Sequence, residues 1–141
     1  MKSIFLDTSS LVKVYHREPD SDNILKTLPE FQRIILSEIT KIEFISAFRK
    51  KVNRSEATET EAKDAIRFFE NDYNKFHWVV IDSKIIHSAK NLLNDYSKIG
   101  LRTLDAIQLA CAVSVKDITD ENLTSDKILK NIFLKEGLIS K

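Results

Sequence analysis

Near its start the chain reads Ile4-Phe5-Leu6-Asp7-Thr8-Ser9-Ser10: three apolar residues run straight into an acid, and three hydroxyl residues follow. A short apolar run punctuated this way is the pattern of a buried strand. It sets one carboxylate at the strand's C-terminal end, the rim where open α/β sheets bind ligands. Similar runs recur at Arg33-Ile34-Ile35-Leu36-Ser37 and Trp78-Val79-Val80-Ile81, with a weaker one at Asn122-Leu123-Thr124-Ser125. Helical patterns separate them. That alternation predicts an α/β domain with a mostly parallel central sheet.

The helices carry their own signals. Ser9 or Ser10 is expected to cap a short helix through Tyr15, and Asp20 or Ser21 a second one to about Leu28, stopped by Pro29. From Glu38 or Ile39 to about Asn53 a longer helix places Ile42, Phe44, Ile45, Ala47, Phe48 and Val52 over most of its circumference. Glu43, Ser46 and Lys50 form a narrow polar stripe, so burial on most sides is predicted. Thr58 and Glu61 make a capping-box signature for a helix to about Asn74. Asp82 or Ser83 opens another through Tyr96, with Ile85, Ile86, Ala89, Leu92 and Leu93 inward and Gly100 ending the region. Thr103 reads as the N-cap of an almost wholly apolar central helix, with Asp105 in its first turn. Asp126 opens a last helix that ends near Gly137.

A chain of 141 residues, 43% hydrophobic and 30% charged, fits one domain with a real core. No apolar run approaches the length of a membrane span and no signal-peptide pattern opens the chain, so a cytoplasmic protein without membrane contact is expected. The single cysteine, Cys111, lies in the run Leu109-Ala110-Cys111-Ala112-Val113 and reads as core packing. A net charge of +1 excludes a broadly basic nucleic-acid binder; any such contact has to be local.

Four acids sit in comparable settings: Asp7, Glu43, Asp105 and Asp126. Each has a plain structural explanation taken singly. Asp7 and Asp126 fit as helix caps, Asp105 as a complement to a helix dipole, and Glu43 as a partner of Lys50 or Lys51. Together they suggest more. Asp105 stands beside a helix with almost no polar surface, where an unpaired charge is costly. Asp7 ends a buried strand. Gathering carboxylates at one rim is what a hard divalent cation requires. The spacing by itself matches no short motif. His16, His77 and His87 stand in unrelated surroundings and receive no role.

The chain resembles the PIN domains, and within them the VapC-type ribonuclease toxins of toxin–antitoxin modules. The opening Ile4 to Lys13, continuing to Arg17-Glu18-Pro19, is similar to the family's first strand and helix. Ser37-Glu38-Ile39-Thr40-Lys41-Ile42-Glu43 resembles its second motif. Gly100 to Ala110, with Thr103-Leu104-Asp105-Ala106, resembles its third and is the most specific. Thr124-Ser125-Asp126-Lys127-Ile128-Leu129 resembles the fourth. The likeness runs in order over nearly the whole chain. It departs in the polar segment from Lys116 to Glu121 and after Gly137, where too little chain remains for a final edge strand.

This resemblance implies a single PIN domain over residues 1–141: three α/β/α layers around a short, mostly parallel sheet of four to five strands. It implies a metal-dependent endoribonuclease, the toxin of a toxin–antitoxin pair. Asp7, Glu43, Asp105 and Asp126 would be its catalytic acids and the ligands of Mg²⁺ or Mn²⁺. Its expected partners are an RNA substrate, a cognate antitoxin and a second copy in a homodimer. Thr8, Ser9 and Thr124 stand where they would hydrogen-bond the acids or cap helices, and Arg102 and Lys13 where they would meet an RNA backbone. The rival readings are a PIN nuclease of RNA processing and a catalytically silent PIN-like binding module. A receiver or haloacid-dehalogenase phosphatase requires a further acid after the first strand. Thr8, Ser9 and Ser10 are not acids.

Overall fold

A computed structural model describes residues 1–138. The four strands β1 (Ser3–Leu6), β2 (Arg33–Ser37), β3 (Phe76–Val79) and β4 (Glu121–Leu123) form one sheet in the order β3-β2-β1-β4. Every pairing is parallel. Successive strands step from β1 to β2 to β3, and β4 then returns to the opposite side of β1. The order therefore reverses beside β1, the kind of switch point at which parallel sheets open a crevice.

Side-chain alternation along β1 and β2 builds two cores. Ile4, Leu6 and Leu36 point to one face, where Leu11, Phe44, Phe48, Ala62 and Phe69 cover them. Those side chains come from α1 (Thr8–Tyr15), α3 (Thr40–Asn53) and α4 (Glu59–Asn71). Phe5 and Ile35 point to the other face, against Ile85, Leu92, Leu109, Leu129 and Phe133. These belong to α5 (Ser83–Tyr96), α6 (Thr103–Ser114) and α7 (Lys127–Lys135), while α2 (Ser21–Thr27) precedes β2. The result is three layers, α/β/α. β1 is buried along its whole length because it is central and covered on both faces.

Several local expectations hold. Thr58 and Glu61 exchange both bonds of the capping box at the start of α4. Asp82 caps α5 through the Ile85 N–H. Gly100 and Gly137 take the left-handed conformation, with φ of 98° and 75°, at the turns that follow α5 and α7.

Others shift for tertiary reasons. α1 is capped by Asp7, not by Ser9 or Ser10. α3 begins at Thr40, after a turn in which the Ile39 N–H bonds the Ser37 hydroxyl. Arg102, not Thr103, holds the N-cap position of α6. β3 lies two residues earlier than the apolar run because Phe76–Val79 pairs with Ile34–Ser37; Val80 and Ile81 continue beyond the end of β2. The expectation that α3 is buried on most sides is corrected. Phe44 and Phe48 are fully buried, but Ile42 is 68% exposed and Ile45 42%. One face of α3 packs against the sheet and α4, and its second apolar face meets no neighbouring layer. Ile86 of α5 is likewise exposed rather than inward. The absence of a final edge strand concerns residues 139–141, outside the described residues.

Candidate functional site

β1 and β4 are paired with Leu6 opposite Leu123, so the next residues, Asp7 and Thr124, emerge side by side at the rim. The Asp7 N–H extends the ladder to the Leu123 carbonyl at 3.2 Å. The Thr124 hydroxyl then donates to Asp7 Oδ2 at 2.6 Å. Ser9 Oγ bonds both Asp7 oxygens, at 2.8 and 2.9 Å, and the Ser10 N–H donates to Oδ1 at 3.1 Å. Asp7 therefore caps α1 and is a fully clamped acid only 4% exposed. Burial pushes its carboxyl up to about 6 against the hydrogen bonds from Thr124, Ser9 and Ser10, with the charge of Glu43 adding to the rise.

Glu43, half-buried in the first turn of α3, accepts from Gln108 Nε2 at 2.8 Å and from the Thr8 hydroxyl at 3.0 Å. Desolvation raises its pKa above the ordinary value, those two bonds lower it, the nearby Asp105 raises it and Lys50 lowers it. Asp105 lies in the first turn of α6. Its pKa is raised by burial and then by Asp126, against a backbone hydrogen bond and the positive charge of Arg102. Asp126 caps α7, with Oδ1 accepting the Leu129 N–H at 2.9 Å. Its own N–H bonds Thr124 Oγ1 at 3.0 Å.

The structure thus brings the four acids into one electrostatic sequence. Asp7 feels Glu43, Glu43 feels Asp105, and Asp105 feels Asp126. Glu43, Asp105 and Asp126 line a single cleft of about 630 Å³ whose rim also carries Lys50, Arg102 and Thr103. A second, more apolar groove of about 350 Å³ shares Glu43, Lys50 and Leu104 with it and continues over Val12, Ile39 and Ile42. Lys13 lies in the last turn of α1 and lines neither. Lys51 is paired with Glu18 at 3.0 Å and is not a partner of Glu43.

Among the described residues no three acids or other ligating side chains stand close enough to make a ready-built metal site. The donor chemistry nevertheless fits a hard divalent cation. All four acids offer oxygen, and three of them have their proton affinity raised by burial and mutual repulsion, which a cation would relieve.

The sequence reading missed Gln108, Thr40 and the place of Lys50 on the cleft wall. Gln108 was legible as the only strongly polar residue in the run from Ala106 to Val113, three positions after Asp105. The hydroxyls of Thr8, Ser9 and Thr124 serve the acids directly. Thr124→Val is expected to destabilise the fold by about 1–3 kcal/mol, because at a 6% exposed position it removes one of the three donors to Asp7 and leaves the Asp126 N–H without its side-chain acceptor. Urea denaturation at neutral pH measures this; a change below about 0.5 kcal/mol, the range of a neutral surface substitution, would refute it.

Comparison with known proteins is consistent with this geometry. The PIN domain family model matches residues 4–133. The chain is 29% identical over 112 residues to ribonuclease VapC46 of Mycobacterium tuberculosis, covering 79% of this chain and 75% of that protein. The solved structure of VapC20 from the same organism, described as a sarcin-ricin loop cleaving toxin, superposes with a TM-score of 0.69 at 13% identity, over 92% of this chain and 94% of that one. VapBC2 from Rickettsia felis, solved bound to a DNA fragment from its promoter, gives a TM-score of 0.65 at 17% identity, over 99% and 97%. At these identities the solved structures establish the fold. With the family model running from β1 into α7 over that same fold, the chain belongs to the PIN domain family.

Proposed function

We propose that this chain is a divalent-metal-dependent endoribonuclease, the toxin of a toxin–antitoxin pair acting in the cytoplasm. The observation that carries the reading is the sequence of four acids, each within electrostatic reach of the next, three of which line a cleft edged by cations. Its likeness to a protein named as a ribonuclease, and to a chain solved within a toxin–antitoxin complex from Klebsiella pneumoniae, supports the substrate class and the pairing. Among the described residues no helix is long and apolar enough to cross a membrane.

Asp7, Glu43, Asp105 and Asp126 would hold Mg²⁺ or Mn²⁺. When bound, that ion supplies Lewis acidity, polarising a phosphoryl oxygen and making water acidic enough to ionise near neutral pH. Asp7 is clamped by three donors and serves as the fixed wall of the site. Glu43 and Asp105 line the cleft and would orient the attacking water; as its oxygen bonds to phosphorus the opposite P–O ester bond breaks, the water's proton passes to solvent and the departing oxygen takes up a proton from solvent. Lys50 and Arg102 stand at the rim, where phosphate oxygens of the RNA would approach. The apolar groove beside the cleft would seat an antitoxin segment whose Arg or Lys reaches the acids. The exposed Ile42 and Ile45 are available to an isologous homodimer.

The test is cleavage of RNA oligonucleotides by purified protein. Cleavage is expected with Mg²⁺ or Mn²⁺, disappears in chelator and returns when the ion is restored. Full activity in chelator would overturn the metal requirement. No cleavage with either ion would leave a silent PIN-like binding module.

A further inference from the structure

Gln108 lies one turn below Asp105 on α6 and is only 2% exposed. Its Nε2 is 2.8 Å from Glu43 Oε1, 2.9 Å from Thr40 Oγ1 and 3.0 Å from Thr8 Oγ1. The Glu43 carboxylate sets the orientation of the amide, because the reverse flip would turn the amide oxygen toward a negative charge. Thr8 Oγ1 donates to the same Glu43 oxygen at 3.0 Å and sits 3.4 Å from Thr40 Oγ1. Both bonds to Glu43 therefore fall on Oε1. Among the described residues Oε2 accepts none, so one oxygen is anchored and the other is not, on a residue that lines the cleft. Gln108 Oε1 is itself buried and, among the described residues, without a partner. A buried amide that leaves its own acceptor unsatisfied is costly to the fold and calls for a compensating role.

We propose that Gln108, seated against Thr8 and Thr40, is a positioning residue that fixes the rotamer of Glu43 and aims its second oxygen at the metal and substrate. α6 then supplies the site twice, with Asp105 at the mouth and Gln108 one turn deeper. The ties from α6 to α1 and α3 cross between the two cores, so they also set the spacing of the acids. This inference rests on the metal-dependent ribonuclease reading.

The test is Gln108→Met, which keeps the volume and removes the donor. Two quantities are measured on purified protein: Mn²⁺ affinity by calorimetry, and kcat and KM on an RNA oligonucleotide. Loss of an outer partner of a metal ligand costs about 10–100-fold. Mn²⁺ affinity and kcat are expected to fall by that factor, while KM stays within about twofold, as for an interaction made at the reacting centre only. The decisive comparison is a double-mutant cycle. In a Glu43→Ala background, Gln108→Met should cause no further loss of Mn²⁺ affinity, because its target is gone. Equal losses in both backgrounds would mark Gln108 as a packing residue and overturn the inference. So would unchanged Mn²⁺ affinity and kcat in the single variant.

Should Gln108→Met fail to fold, Gln108→Asn keeps the amide, withdraws it by one methylene and carries the same cycle. Wild-type protein that neither binds Mn²⁺ nor cleaves RNA would overturn the functional reading itself. Wild-type activity matched by both variants would overturn only the role of Gln108.

Discussion

Asp105→Asn is expected to lower RNA cleavage by more than about 100-fold while the protein still melts cooperatively. Loss of an outer partner of a metal ligand already costs about 10–100-fold, so loss of a direct ligand charge exceeds that range. The substitution changes little else. Asp105 sits in the first turn of α6 and lines the cleft, and its backbone hydrogen bond with Arg102 is one an asparagine oxygen can also accept. Asparagine keeps its shape and removes the repulsion from Asp126 that raises its pKa. Single-turnover cleavage with saturating Mg²⁺, alongside a thermal melt, makes the measurement. A loss of less than about tenfold would fall below even the outer-partner range. Asp105 would then be a complement to the helix dipole and not a ligand.

The second large effect is on stability and follows from Asp7. Its carboxyl is raised from 3.8 to about 6, first by burial. The folded protein therefore holds this proton more tightly than the unfolded chain does. The stabilisation from that difference is fully present below the unfolded value, near pH 4, and is lost as pH rises through about 6. A rise of about two units corresponds to about 3 kcal/mol, the most that removing the charge can recover. Asp7→Asn is thus expected to melt above wild type at pH 8 in chelator, by up to about 10 °C, with the advantage shrinking toward pH 4.

Asparagine still caps α1. It gives up one acceptor, however, so the Thr124 hydroxyl must rotate and the gain stays below that limit. Divalent metal should act in the opposite sense. At a hundredfold excess over its dissociation constant it stabilises wild type by about 2.7 kcal/mol, and the variant much less. Melts across pH 4–8, with and without Mn²⁺, decide the matter. A variant that melts lower than wild type at every pH would mean that Asp7 serves the fold as a cap and hydrogen-bond hub, and that its charge is tolerated.

Asp7 and Gln108 mark the two sides of what could be read from the chain alone. Asp7 was legible because strand patterns are local: Ile4-Phe5-Leu6 followed by an acid defines the end of a buried strand, and parallel strands put such ends at one rim. The same locality made the capping box at Thr58 and the turns at Gly100 and Gly137 readable, since caps and left-handed turns are decided within a few residues. The acids Glu43, Asp105 and Asp126 were singled out by their punctuated settings and by family likeness, never by spacing. Their association needed the sheet order β3-β2-β1-β4, which sets β4 and Thr124 beside Asp7.

Tertiary structure alone decided the rest. The wheel of α3 could not say that Ile42 and Ile45 would stay exposed, because periodicity measures how apolar a face is and not whether a neighbouring layer covers it. The shift of β3 toward Phe76 came from where β2 ends, a pairing outside any local window. Gln108 showed only as a polar residue in an apolar helix. Its meaning lay in bonds to residues 65, 68 and 100 positions away in sequence. A hydrogen bond of that separation is set by how layers pack, and no local pattern encodes the packing of layers.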